Sequence, residues 1–82
     1  MFRLADYEKE IRTSAQKHKI AIADAADKFI YNLAVIRDHY TIFAPDIDFR
    51  RLGQQWNQLP SGTRIAQKEE LLGALNRATR GL

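Results

Sequence analysis

The chain has 82 residues, no cysteine and a formal net charge of +3, from 13 Lys and Arg against 10 Asp and Glu. This length suits one small domain, and the lack of cysteine excludes disulfides and cysteine-ligated zinc. The mildly basic charge permits contact with nucleic acid, but acidic residues are mixed with the basic ones, as is typical of solvated helix faces.

The amino-terminal segment MFRLADYEKE lacks the apolar stretch of a secretory signal. No apolar run approaches the ~20 residues that a membrane-spanning helix needs. We therefore expect a soluble, cytoplasmic protein with no membrane contact.

The first half of the chain is predicted to be helical, because residues 1–44 contain neither Gly nor Pro. Its apolar or semi-apolar residues recur at steps of three or four, the period of an amphipathic helix. They are Leu4, Tyr7, Ile11, Ala15, His18, Ile22, Ala26, Phe29, Leu33, Ile36 and Tyr40. Two interpretations remain open. We favour two helices that break near residues 16–19; the other is one helix of about 37 residues whose stripe a partner chain covers.

The segment 20–43 has the widest apolar stripe, which Ala25, Ile30 and Val35 broaden. A stripe of this width indicates contacts on more than one side, so this segment is predicted to be the central helix of the domain.

Pro45 separates the first half from the second, because a proline disfavours helix at the residue before it. Asp46 or Asp48 can cap a third helix, whose apolar positions are Phe49, Leu52, Trp56 and Leu59. This stripe predicts that Trp56 is a core residue. Pro60 and Gly62 end the helix.

Thr63 is predicted to cap a last helix with Ile65, Leu72, Leu75 and Leu82 on one face. The fold class is therefore all-α: one small domain, residues 1–82, of three or four helices. Its amino-terminal half is a long helix or a helical hairpin, and two shorter helices follow Pro45.

The residues of catalytic chemistry do not form a recognisable constellation. Ser14 and Ser61 lack the sequence context of a nucleophile, and the chain has no glycine-rich phosphate loop. On one helix, His18 and His39 would lie about 31 Å apart and could not share a metal. We expect no enzymatic activity, no metal, no cofactor and no small-molecule substrate.

Basic residues are the candidates for contact with nucleic-acid phosphates, which need only a cationic patch. These candidates are Arg37, Arg50, Arg51, Arg64, Lys68, Arg77 and Arg80. If the third and fourth helices form a hairpin, the arginines at 50, 51, 77 and 80 could form one patch. The alternative is that they serve solubility and compensate helix-end charge.

Two short stretches resemble DNA-binding families. The run Ala25-Ala26-Asp27-Lys28-Phe29, followed by Val35-Ile36-Arg37, is similar in spacing to the helix-turn-helix of small regulators. The resemblance implies that Asn32, Arg37 and His39 face the DNA groove. It departs from that family at the turn, where Ile30 occupies the usual glycine position.

The second stretch, Leu52-Gly53 with Trp56, Leu59 and Arg64, resembles the second helix of an HMG box. That resemblance implies a core tryptophan where helices meet, in a protein that bends DNA through its minor groove. The basic entry strand of that family is missing here.

Two hypotheses for function follow. The first is a small DNA-binding or DNA-associated protein, a regulator of the phage or plasmid kind that acts as a homodimer. The second is a protein-interaction module, an adaptor or inhibitor that docks a helical face on a larger protein. Its candidate anchors are aromatic, as is common at interface hot spots: Tyr7, Tyr31, Tyr40 and Phe43.

Overall fold

The structure, a computed structural model, describes residues 2–36 and 45–80. In these two ranges the chain forms helices and no strand, so the predicted all-α class is confirmed. A 3-10 turn, Leu4–Tyr7, leads into α1, Glu8–His18. The remaining helices are α2, Ile22–Val35, α3, Phe49–Gln58, and α4, Ser61–Thr79.

The first two helices separate at Lys19, within the weakest part of the apolar stripe. Lys19 adopts the left-handed conformation, with φ 53°. The N–H of Ile20 bonds the carbonyl of Ala15 at 3.0 Å, and the N–H of Lys19 bonds the carbonyl of Gln16 at 3.4 Å. This hydrogen-bond pair is a Schellman motif, which terminates a helix. The chain therefore forms two helices here rather than one.

Helix α2 ends earlier than the predicted segment 20–43. Ile36 is left-handed, with φ 52°, and its N–H bonds the carbonyl of Asn32. A left-handed residue cannot continue a right-handed helix, and the conformation is costly for a β-branched side chain. Residues 37–44 lie outside the described residues. Helix α2 is continuous through Ile30, so the turn implied by the helix-turn-helix resemblance is absent, and that interpretation is wrong.

Helix α3 has the predicted position and cap. The Oδ1 atom of Asp48 accepts a hydrogen bond from the N–H of Arg51 at 3.1 Å. Helix α4 begins at Ser61, so the predicted cap at Thr63 is wrong. Pro60 takes the cap position instead, because its carbonyl accepts from the N–H of Arg64 at 3.0 Å and its fixed φ suits a helix start.

The core forms around α2, which packs against α1, α3 and α4. In this core the rings of Phe29 and Phe49 meet edge-on, with their centroids 5.1 Å apart. The buried apolar residues are Leu4, Ile11, Ala15, Ala25, Ala26, Phe29, Leu33, Phe49, Trp56, Leu71 and Leu75. A core of this size leaves a small domain only marginally stable.

A buried glutamine fastens the amino-terminal segment to α4. The Nε2 atom of Gln67 donates to the carbonyl of Phe2 at 3.1 Å, and its Oε1 atom accepts from the N–H of Leu4 at 3.3 Å. At the surface, Arg3 and Glu70 add an ion pair at 2.9 Å. These contacts place Gln67, Leu71 and Leu75 on the inner face of α4. The prediction that Ile65 belongs to that face is wrong.

Candidate docking face and cationic groove

Three large hydrophobic side chains of the described residues are exposed: Tyr31 at 53%, Val35 at 45% and Ile65 at 60%. Tyr31 and Val35 are four residues apart on α2, so they share one face of that helix. Val35 was predicted to widen the buried stripe, and that prediction is wrong, because its side chain is exposed. An apolar cluster at the surface is the usual mark of an interaction site.

An ion pair relates the outer sides of α2 and α4. The Nζ atom of Lys68 lies 3.8 Å from Oδ1 of Asp27. Both side chains are about half exposed, and such a surface pair adds only about 0–1 kcal/mol to stability. The ion pair is informative about geometry, because it identifies which turns of α2 and α4 are neighbours.

Helices α2 and α4 are antiparallel. The Nδ2 atom of Asn57, at the end of α3, donates to the carbonyl of Ala34 at 3.4 Å, so α4 starts beside the carboxyl end of α2. Further along α4, Lys68 lies beside Asp27 of α2. The residue one turn after Asp27 on α2 and the residue one turn before Lys68 on α4 therefore lie on the same side of the ion pair.

Those two positions are Tyr31 and Ile65, which places the exposed apolar residues on one surface. We call this surface the docking face and define it by Asp27, Tyr31, Val35, Ile65 and Lys68. Its centre is apolar and its edge is charged, which is the usual composition of a protein interface.

A groove of ≈ 300 Å³ adjoins the docking face where α3 meets α4. It is lined by Trp56, Ser61, Arg64, Ile65 and Lys68, and we call it the cationic groove. The charged side chains in this lining are both positive. Because no side chain caps α4, the first N–H groups of that helix add partial positive charge at the same end.

Arg64 is held at the groove by a long hydrogen bond, in which its Nη2 atom donates to Oγ of Ser61 at 3.4 Å. Its Nε atom is buried and has no hydrogen-bond partner among the described residues. The groove combines the polar side chains of Ser61, Arg64 and Lys68 with the apolar surface of Trp56 and Ile65.

Trp56 serves both the core and the groove. It is 4% exposed, and its ring meets that of Phe2 edge-on, with centroids 6.0 Å apart. The remaining surface of the residue lines the cationic groove. A ligand in the groove would therefore sit against the chain's single tryptophan.

Of the basic residues predicted to contact phosphate, Arg64 and Lys68 line the cationic groove together, whereas the four arginines expected to form one patch are dispersed. Arg50 and Arg51 lie in the first turn of α3, whereas Arg77 and Arg80 lie at the far end of α4. Helix α3 packs on α2, and α4 packs on α2 and on the 3-10 turn. Because α3 and α4 do not pack along each other as a hairpin, the condition for one four-arginine patch is not met. Arg37 lies outside the described residues.

The predicted aromatic anchors have different surroundings. Tyr31 is on the docking face, whereas Tyr7 is half-buried, with its ring centroid 5.6 Å from that of Phe29. Burial, together with the nearby Asp6 and Glu10 carboxylates, raises the pKa of the Tyr7 phenol above its ordinary value. Tyr40 and Phe43 lie outside the described residues.

Ile65 was missed as a surface residue, and Gln67 was missed as a buried one. The spacing of Arg64, Gln67, Leu71 and Leu75 is also helical, and it would have indicated an inner face rotated away from Ile65. The glutamine in this apolar spacing was the available signal for the inner face, but polar residues are usually assigned to the surface.

Comparison with protein-family models, curated proteins and solved structures gave no match to this chain. Within residues 2–36 and 45–80, no helix is both long enough and apolar enough to cross a bilayer. The same residues contain no cluster of three or more His, Asp or Glu arranged to hold a metal ion.

Proposed function

We propose that this protein is a small non-enzymatic binding module that docks a protein partner on the docking face. The observation that supports the proposal is the grouping of Tyr31, Val35 and Ile65. Tyr31 and Val35 lie on α2 and Ile65 lies on α4, the two helices that the Asp27–Lys68 ion pair brings together, and Ile65 also lines the groove. Scattered single apolar residues are ordinary on protein surfaces, but a cluster with a charged edge is typical of an interaction site.

Ile65 is the position at which this proposal is tested most cleanly. Its side chain is exposed, so Ile65→Glu removes apolar surface and adds a charge without opening a cavity in the core. A hot-spot residue at an interface contributes about 2 kcal/mol or more, which corresponds to about a thirtyfold weaker complex. We therefore expect Ile65→Glu to release a partner that the wild-type protein retains.

The matched control is Thr13→Glu, which adds the same charge at an exposed position of α1. Thr13 lines a groove opposite residues 45–47 and takes no part in the docking face. The measurement is quantitative affinity capture from the cells that make the protein, with wild type and both variants side by side. Equal retention of every captured protein by Ile65→Glu, or capture of none by wild type, contradicts the proposal.

A second copy of the chain is one partner that this face could bind, as the expected homodimer requires. Sedimentation equilibrium of the purified protein measures its oligomeric state directly. A dimer that Ile65→Glu converts to a monomer, and Thr13→Glu does not, places the second copy on the docking face.

A second candidate function, contact with nucleic acid, is supported by Arg50 and Arg51. Both are exposed residues in the first turn of α3, which contains no acidic residue. The helix dipole disfavours cations at that end, so compensation of the dipole does not account for the pair. Arg77, by contrast, lies in the last turn of α4, where the dipole favours a cation.

Titration into labelled duplex DNA of mixed sequence, at about 50 and about 200 mM salt, tests this candidate. We expect micromolar binding at the lower salt that collapses at the higher. Replacing Arg50 and Arg51 by Gln should reduce the slope of log affinity against log salt concentration by about two. The matched control replaces Lys9 and Lys17 of α1 by Gln. The nucleic-acid function is rejected by an absence of binding at low salt, or by equal losses in both double variants.

A further inference from the structure

The cationic groove indicates what part of a partner it accepts. We infer that it takes a segment in which an apolar side chain is flanked by carboxylates, that is, an acidic and apolar stretch of a partner protein. This inference rests on the proposed function and makes the chemistry of the partner specific.

The apolar part of this inference rests on Trp56 and Ile65, which both line the groove. The groove, at ≈ 300 Å³, is at the small end of the range for ligand sites. It therefore suits one inserted side chain better than an extended ligand. A phosphate group offers no apolar surface for these two residues to cover, so an apolar side chain of a peptide accounts for them better than a phosphate contact does.

The charged part rests on the donors of the groove. Arg64 and Lys68 both line the groove, and the ion pair of Lys68 with Asp27 is long and exposed, at 3.8 Å. Ser61 adds a hydroxyl. No carboxylate belongs to the lining, so a carboxylate from the partner would supply the negative charge that complements Arg64 and Lys68.

Asp27 restricts where the carboxylates of a bound segment can lie. It lies beside Lys68 at the α2 edge and would repel a carboxylate placed over α2. The flanking carboxylates are therefore expected near the amino-terminal end of α4, next to Arg64, while the apolar side chain contacts Ile65.

The test is selection from a random peptide library with the full-length protein, followed by fluorescence anisotropy on the selected peptides. We expect the selected sequences to place a leucine, isoleucine or aromatic residue next to Asp or Glu. Replacing their acidic residues by Lys, or their apolar residue by Ser, should weaken binding at least tenfold. Emission from Trp56 should change on binding, since no other tryptophan is present.

Variants of the groove complete the test. The double variant Arg64→Gln, Lys68→Gln should weaken a selected peptide about tenfold and flatten its salt dependence, as expected for lost charge-assisted contacts. Thr13→Glu should leave binding unchanged. Circular dichroism of each variant establishes that it is folded.

Three results would overturn the inference: selection of basic or uncharged peptides, selection of none, or displacement of an acidic peptide by duplex DNA that binds more tightly. These results are separate from failure of the proposed function, which is judged by whether Ile65→Glu releases the partner. If Ile65→Glu releases the partner but the selected peptides are basic, the proposed function stands and the inference of an acidic segment is rejected.

Discussion

Gly53→Ala is expected to destabilise the protein by about 2 kcal/mol or more, although alanine is the better helix former. A Cβ at this position would lie 2.5 Å from the carbonyl oxygen of Leu33 and 2.9 Å from Cγ1 of Ile36. The first contact is with backbone, which cannot rotate away, so α3 must move off the end of α2. Overpacking of this kind costs about 1–3 kcal/mol or more, which outweighs the ~1 kcal/mol that alanine contributes to a helix interior.

Gly62→Ala is the matched control, because a Cβ there meets nothing within 4 Å. It lies in the first turn of α4, and the substitution should leave stability unchanged or raise it by a few tenths of a kcal/mol. Urea denaturation followed by circular dichroism compares the two variants. Similar stabilities for Gly53→Ala and Gly62→Ala would disprove the close approach of α3 to α2.

Gln67→Leu is expected to lower the free energy of unfolding by about 2–3 kcal/mol, although it increases the apolar content of the core. The change removes the hydrogen bonds to the Phe2 carbonyl and the Leu4 N–H. Those backbone groups would then be left without partners at a protected site, and each such loss costs about 1–3 kcal/mol. Hydrogen exchange at the Leu4 amide should accelerate in the variant.

The neighbouring ion pair provides the comparison for this prediction. Glu70→Gln removes the negative charge of the exposed ion pair with Arg3, and a surface pair of this kind contributes about 0–1 kcal/mol. We expect only a small change from Glu70→Gln in the same denaturation experiment. An effect of Gln67→Leu as small as that of Glu70→Gln would mean that the buried glutamine does not hold the amino-terminal segment.

Local signals in the sequence were sufficient to predict α3 and its cap. Pro45 and Pro60 bound α3, and Asp48 caps it, because these residues act through backbone geometry and hydrogen bonds a few residues away. The apolar period also placed Phe29 and Leu33 in the core. Each of these predictions depends on neighbours in sequence.

The docking face depends on tertiary contacts that periodicity does not contain. Helix α4 has two overlapping stripes, and the choice between them is made by Gln67, which binds backbone more than 60 residues away. That choice exposes Ile65. Likewise, α2 stops at Ile36 in a conformation that its own side chain disfavours, so no local preference predicted that Val35 would be exposed.

The central claim is that the protein acts by docking a partner on the face formed by α2 and α4. Its most direct test is the amount of each captured protein retained by Ile65→Glu relative to Thr13→Glu, measured by mass spectrometry on equal amounts of folded protein. We predict at least one partner whose retention falls about thirtyfold with Ile65→Glu and is unchanged with Thr13→Glu. Equal retention by the two variants for every captured protein would contradict the claim.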